Sequence, residues 1–74
     1  MSTTLAPTIG LSLNGERRRV PAGQTVAALL EQLGLDRRKV AVERNEAIVS
    51  RSAYAETVLQ EGDQLEIVHF IGGG

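Results

Sequence analysis

The segment at residues 9–34, IGLSLNGERRRVPAGQTVAALLEQLG, decides the fold because it indicates a β-hairpin followed at once by a helix. Asn14-Gly15 is a two-residue hairpin signal, since both residue types tolerate a positive φ. The residues before it alternate between apolar and small or polar types, which is the period of a half-buried strand. The apolar members are Ile9, Leu11 and Leu13. Residues 16–20 are predicted to form the return strand.

The predicted return strand carries an uninterrupted run of three arginines, Arg17, Arg18 and Arg19. A two-residue turn pairs Leu11 with Arg18 and places both side chains on the same face of the sheet. We therefore expect an edge strand, in which the arginine stems lie along the sheet while their guanidinium groups reach water.

A helix is predicted after the break at residues 21–23, where proline and glycine end the strand. Thr25 can cap this helix because its hydroxyl can accept a hydrogen bond from a backbone N–H of the first turn. The apolar residues that follow have the spacing of one helical face, which is typical of core packing. They are Val26, Leu29, Leu30 and Leu33. Gly34 supplies the left-handed residue that commonly ends a helix.

The rest of the chain predicts further strands at residues 40–44, 47–49 and 64–71, with turns at 45–46 and 61–63. Residues 35–39 are interpreted as a polar connector. Residues 52–59 are interpreted as a helical turn capped by Ser52, with Tyr54, Val58 and Leu59 packing inward. One helix on one face of a mixed sheet is an α+β layout. With the final strand pairing near the first, this order matches the β-grasp, or ubiquitin-like, fold.

The predicted domain organisation is simple, because 74 residues suffice for one domain. We expect residues 1–8 to form a short flexible leader, residues 9–71 the β-grasp domain and residues 72–74 a flexible glycine tail. No apolar run approaches the roughly 20 residues that span a bilayer, and the first residues lack the features of a signal peptide. We therefore expect a cytoplasmic protein without membrane contact.

The composition excludes several classes of function. There is no cysteine, so a disulfide and a thiolate metal site are excluded, and the single histidine, His69, cannot build a multi-histidine metal site. A net charge of -1 and only two aromatic side chains argue against nucleic-acid binding. No nucleophile elbow, phosphate loop or dinucleotide fingerprint is present. His69 lacks partner groups for base catalysis, so we expect it at the sheet rim and do not expect an enzyme.

The glycines at residues 72–74 are the main candidate for chemistry. Glycine loses much backbone entropy on ordering and offers no side chain to pack, so one interpretation is a frayed end. The other is a thread that enters a slot too narrow for a side chain. Three extended residues span at most about 10–11 Å, enough to carry the Gly74 carboxylate into an active site. Transfer of AMP would activate that carboxylate, and a sulfur nucleophile would then leave a thiocarboxylate.

The final predicted strand also offers a candidate docking surface. If Leu65 and Ile67 face the helix, alternation places Val68 and Phe70 on the opposite, open face of the sheet. Apolar residues exposed beside a reactive tail are typical of a docking patch, to which we expect Val68, Phe70 and Ile71 to contribute. The basic groups at residues 17–19 and 37–39 are either solvated surface, which we prefer, or docking sites for an acidic partner.

Several segments, taken in order, resemble the ThiS family of sulfur carriers in thiamine biosynthesis. They are residues 22–26 with Leu29-Leu30, residues 40–45, Ile48-Val49, residues 61–68 and the ending at residues 70–74. The resemblance covers about residues 9–74. It implies a β-grasp fold and a role for Gly74 as the bearer of the thiocarboxylate. Gly73 would complete a diglycine, and Gly72 would add slack.

The resemblance also implies partners. An E1-like adenylyltransferase of the ThiF type would use ATP and magnesium to adenylate Gly74, and a persulfide would supply the sulfur. Thiazole synthase, of the ThiG type, would then take that sulfur for the thiazole ring, while the carrier itself would bind no cofactor. Alternatives are the small subunit of molybdopterin synthase, whose tails usually carry prolines before the diglycine, a ubiquitin-like modifier, and a plain binding module.

Overall fold

The computed structural model describes residues 7–70, in which a five-stranded mixed sheet carries one α-helix on one face. The strands are β1 (Thr8–Leu13), β2 (Glu16–Pro21), β3 (Val40–Arg44), β4 (Ala47–Val49) and β5 (Gln64–His69). The helices are α1 (Val26–Gln32) and the 3₁₀ helices η1 (Arg37–Lys39) and η2 (Arg51–Ala53). Residues 1–6 of the predicted leader, Ile71 and the glycines at 72–74 lie outside the described residues. Thr8, which was predicted to end the leader, instead begins β1, where it pairs with Pro21.

The strand order is β2-β1-β5-β3-β4, with β1 parallel to β5 and every other neighbouring pair antiparallel. The first and last strands therefore meet at the centre of the sheet, which confirms the predicted α+β, β-grasp fold. No helix within residues 7–70 is long and apolar enough to cross a membrane.

The hairpin forms as its sequence predicts. Asn14 and Gly15 both have positive φ, at 50° and 85°, and Leu11 pairs with Arg18 across the ladder. β2 is an edge strand, and its arginines are exposed while Val20 is buried. The paired Leu11 is also buried, so the long arginine side chain leaves the sheet toward water while its smaller neighbour packs inward.

The helix α1 begins and ends at the predicted signals. The Thr25 hydroxyl accepts a hydrogen bond from Ala28 N at 3.1 Å, and Gly34 takes a positive φ of 73° just after the C-terminal cap at Leu33. The apolar stripe packs on the sheet, with Val26, Leu29 and Leu30 fully buried and Leu33 packed against that core. Burying a leucine side chain contributes about 1.5–3 kcal/mol, so this stripe is the main attachment of α1.

Three local predictions are wrong. Residues 37–39 of the polar connector form η1, because the Asp36 carboxylate accepts a hydrogen bond from Arg38 N at 2.9 Å and caps a short helix. The second helical turn begins after Ser50, so Ser52 lies inside η2 and does not cap it. Val58 is 41% exposed, because it bridges Thr25 in extended backbone and only the next residue, Leu59, points inward.

The central strand β5 begins at a buried carboxylate. Asp63 is only 4% exposed and accepts hydrogen bonds from Arg44 Nε at 2.8 Å, Asn45 Nδ2 at 3.0 Å and Gln60 N at 2.8 Å. Burial opposes ionisation of this carboxyl, but the hydrogen bonds and the Arg44 charge outweigh burial and hold the pKa of Asp63 below its ordinary value of 3.8. The start of β5 is thereby tied to the end of β3.

We expect Asp63→Asn to lower the free energy of unfolding by about 1–3 kcal/mol at pH 7, because one accepting oxygen becomes an NH2 group that cannot accept a hydrogen bond and the remaining bonds lose the charge. Because the pKa of Asp63 is lower in the folded than in the unfolded protein, its ionised form stabilises the fold. This stabilisation is fully present above the unfolded-state pKa and is lost as the pH falls through the folded-state pKa. In urea unfolding followed by circular dichroism, the difference between the two proteins should shrink between about pH 5 and pH 3. A constant difference over that range would contradict a role for the charge.

Candidate functional site

The second half of β5 is the part of the sheet from which the chain continues toward the glycines. β1 pairs with β5 only at Ser12–Gln64 and Leu13–Leu65, whereas β3 follows β5 as far as the pair Val40–His69. Beyond Leu65, β5 therefore has a neighbouring strand on one side only. Phe70 N still donates a hydrogen bond to Lys39 O at 2.9 Å, which holds the last described residue beside η1.

An asparagine side chain replaces the missing strand on the other side of β5. Asn14 Oδ1 accepts a hydrogen bond from Ile67 N at 2.8 Å, and Asn14 Nδ2 donates one to Ile67 O at 3.2 Å. The carboxamide thus offers the same donor and acceptor pair as a backbone peptide group. Because Asn14 sits in the hairpin turn with a positive φ, the turn that closes β1 and β2 also holds β5 in line.

The open face of the sheet, opposite α1, carries the predicted docking residues. Val68 and Phe70 are 56% and 52% exposed, and Val68 pairs with Ala41 on the neighbouring strand. The structure adds Ile48 on the edge strand β4, which is 70% exposed and which the sequence analysis missed. Alternation from the half-buried Val49 could have identified it.

Toward the start of β5, the open face of the sheet carries charged side chains. Glu43 and Glu66 are directly paired across β3 and β5, and Glu46 and Gln64 line the same shallow groove. Like charges placed directly opposite each other on a sheet disfavour pairing. No group of three or more His, Asp or Glu side chains in the described part of the chain is arranged to hold a metal ion.

Only some of the predicted site residues lie within the part of the chain that the structure describes. Val68 and Phe70 lie together on the open face, while Ile71, Gly72, Gly73 and Gly74 fall outside the described residues. His69 pairs with Val40 on the side of the sheet that faces α1 and is exposed at the rim, as alternation predicts. There it lines a groove with Leu33, Leu35 and Ile67. Apolar side chains give the imidazole no acid or base partner in that groove.

The family is decided by comparison with known proteins, because residues 11–74 match the model of the ThiS family. The chain belongs to the ThiS family. It is 39% identical over 61 residues to the sulfur carrier protein ThiS of Escherichia coli, covering 82% of this chain and 92% of that protein. The crystal structure of the thiamine biosynthesis protein ThiS from Geobacter metallireducens superposes with a TM-score of 0.76 at 32% identity, covering 89% of this chain and 100% of that one.

A second kind of relative is much longer than this chain. This chain is 59% identical over 64 residues to a thiazole synthase of Paramagnetospirillum magneticum, and the match covers 86% of this chain and 20% of that protein. The chain therefore spans about a fifth of the length of the thiazole synthase that it matches. A ThiS-like segment occurs within a protein named for the synthesis of the thiazole ring.

We expect Asn14→Gly to lower the free energy of unfolding by about 1–2 kcal/mol, because glycine keeps the positive φ but loses two hydrogen bonds to β5. Amide hydrogen exchange at Ile67 should become at least tenfold faster than in the wild type. Asn14→Asp is the comparison variant, since it keeps the acceptor for Ile67 N but places a charged oxygen opposite Ile67 O in place of the donor. Unchanged protection of Ile67 in Asn14→Gly would show that the carboxamide does not hold the strand.

Proposed function

We propose that this chain is a sulfur carrier for thiazole formation in thiamine biosynthesis, with the Gly74 carboxylate as its working group. The observation that carries the proposal is the ThiS-family match over residues 11–74, which includes the glycines. In this role the chain is a protein co-substrate and not an enzyme. Because the cycle consumes ATP, we place it in the cytoplasm.

The chemistry begins with activation, because a carboxylate is a poor electrophile. In the proposed cycle an E1-like adenylyltransferase lets an oxygen of the Gly74 carboxylate attack the α-phosphorus of ATP, and pyrophosphate leaves. Magnesium held by that enzyme offsets the negative charge of the phosphates. The terminal sulfur of a persulfide then attacks the acyl carbon and AMP leaves. A thiol then attacks the donor's sulfur in the remaining S–S bond, which joins the thiol and the donor in a disulfide and releases the thiocarboxylate. Thiazole synthase takes the sulfur from that thiocarboxylate.

In that cycle this chain supplies a tail that is long enough to reach an active site and has no side chains. Gly72, Gly73 and Gly74 have no Cβ atoms, so they fit a channel that excludes side chains, and they extend over at most about 10–11 Å. The folded body supplies a fixed starting point for that reach, since Asn14 and Lys39 hold the end of β5 from both sides. Reacting groups need positioning to within about 1 Å, which a freely moving base could not provide.

The partners are also proposals. The occurrence of a ThiS-like segment within a thiazole synthase supports a synthase of the ThiG type as one partner. The carboxylate needs activation before sulfur transfer, and we propose an activating enzyme of the ThiF type because the resemblance to the ThiS family implies one. Val68, Phe70 and Ile71 form the proposed docking patch for these enzymes, and the exposure of Val68 and Phe70 beside the exit of the chain supports it.

The double substitution Gly73→Ala with Gly74→Ala should reduce thiocarboxylate formation by at least 100-fold, because two methyl groups enter the narrow channel while the reach stays the same. Deletion of Gly74 should be less damaging, since a diglycine remains. His69→Ala is the control and should react normally. The measurement is intact-mass analysis after incubation with purified activating enzyme, ATP, magnesium and a persulfide donor. Normal turnover of the double variant together with an inactive His69→Ala would refute the proposal, and branched conjugates to lysines would indicate a modifier.

Phe70→Ser should weaken binding to the activating enzyme or to thiazole synthase by about tenfold, because it removes an exposed apolar side chain next to the tail. Its free energy of unfolding should change by less than about 1 kcal/mol, since the ring is half exposed in the isolated protein. Val58→Ser removes an exposed apolar side chain from the segment that bridges Thr25 before α1, and it should leave binding unchanged. Equal effects of the two substitutions on binding, measured by titration calorimetry, would contradict the patch.

A further inference from the structure

The structure brings the second basic group of the sequence together with an arginine that is distant along the chain. Arg51 Nη2 on η2 donates a hydrogen bond to Arg38 O on η1 at 3.4 Å, which sets the two short helices side by side. A groove between them is lined by Arg37, Arg38 and Arg51, with Ser52 and Ala55 beside them. Lys39 completes η1 and is also exposed.

Only one of these four cations forms an ion pair within residues 7–70. Asp36 forms an ion pair with Arg38 at 3.1 Å, and neither this pair nor the Arg44–Asp63 pair includes the other three cations. Those two are the ion pairs within residues 7–70. We call Arg37, Lys39 and Arg51 the basic collar. Its charge stands out because the whole chain has a net charge of -1.

The position of the basic collar ties it to the exit of the chain from the sheet. Lys39 O accepts the hydrogen bond from Phe70 N at 2.9 Å, so η1 lies directly at the end of β5. The other basic group, Arg17, Arg18 and Arg19, lies on the edge strand β2 at the far side of the sheet order. The chain therefore carries two groups of three cations, and one of them includes Lys39, whose backbone contacts the last described residue of the chain.

We propose that the basic collar docks onto a rim of carboxylates around the channel through which the activating enzyme admits the tail. This inference rests on the proposed function. When residues 71–74 are extended in a narrow channel, they place Gly74 about 13–14 Å from Phe70. This separation is longer than the Debye length of about 8 Å at physiological salt, so the basic collar interacts more strongly with surface groups at the channel mouth than with the phosphates of ATP.

The positive charge of the basic collar would also offset an electrostatic repulsion that opposes the reaction. The tail delivers a carboxylate toward bound ATP, so its approach is opposed by repulsion between like charges. An attraction between cations at the base of the tail and carboxylates at the channel mouth acts at longer range, before the carboxylate arrives. Complementary surface charge of this kind raises association rates by about 10- to 1,000-fold and depends strongly on salt.

A matched pair of triple variants tests the proposal. The collar variant is Arg37→Gln, Lys39→Gln and Arg51→Gln, and the control is Arg17→Gln, Arg18→Gln and Arg19→Gln, which removes the same charge at the opposite edge. Association with purified activating enzyme is followed by stopped flow at about 0.02 M and about 0.3 M salt. The collar variant should associate at least tenfold more slowly than wild type at low salt and within twofold of it at high salt. The control should stay within about twofold throughout.

Each other outcome decides the question. Equal slowing of both variants would show that only net charge matters, and no slowing would show that the basic collar is solvated surface; either result overturns the proposal. Arg37→Lys with Arg51→Lys keeps the charges and should associate at the wild-type rate, so slowing there would also overturn it. If the triple variant unfolds, Arg37→Gln with Lys39→Gln is compared with Arg17→Gln with Arg19→Gln.

Different experimental results would refute the proposed function and the proposed role of the basic collar. The adenylation yield of the collar variant at saturating concentration should equal that of wild type, because the reacting tail is unchanged. Wild-type protein that binds the activating enzyme but is not adenylated would refute the proposed chemistry and leave the association rates to decide the collar. Wild-type protein that does not bind at all would refute both.

Discussion

The buried carboxylate of Asp63 is the interaction on which the rest of the structure depends. The carboxylate accepts hydrogen bonds from Arg44 and Asn45 at the end of β3. The backbone carbonyl oxygen of Asp63 accepts another from Ser12 N on β1, at 2.9 Å. A single residue thus fixes the start of the central strand against both neighbours. Because burial of an unpaired carboxylate is costly, the three donors and the strand register require one another.

Two asparagines complete the attachment of β5 by standing in for strand backbone. Asn45 Oδ1 accepts a hydrogen bond from Gln64 N at 2.9 Å on one side, and Asn14 bonds Ile67 on the other. Both asparagines have positive φ, at 53° and 50°, a conformation that asparagine tolerates better than most residues. The same turn positions therefore reverse the chain and hold the central strand by hydrogen bonds at Gln64 and Ile67.

Local patterns were sufficient to predict most of the elements, because alternation, the helical stripe and turn residues act over short distances. Thr25, Gly34 and Asn14-Gly15 perform the roles that their residue types indicate. Val58 was predicted wrongly because a long-range pairing decides its position, since it follows its bridge to Thr25 and not a helical period. The helix η1 was missed although its cap, from Asp36 to Arg38, is local. For the candidate site, Val68 and Phe70 followed from alternation. The approach of Arg51 to η1 did not, since no local rule joins residues 13 positions apart.

The magnitudes of the exposed contacts bear on how a carrier of this kind exchanges partners. Fully burying an apolar side chain contributes about 1.5–3 kcal/mol, and Val68 and Phe70 are already half buried in the isolated protein. Their remaining contribution does not offset the roughly 4–15 kcal/mol that association costs in lost freedom. In the proposed cycle, Val68 and Phe70 alone therefore would not hold a stable complex, and contacts of the tail and of the basic collar would have to supply the rest. Contacts along the tail would be lost when the tail leaves the channel, so the proposal couples release of the carrier to withdrawal of its terminal group.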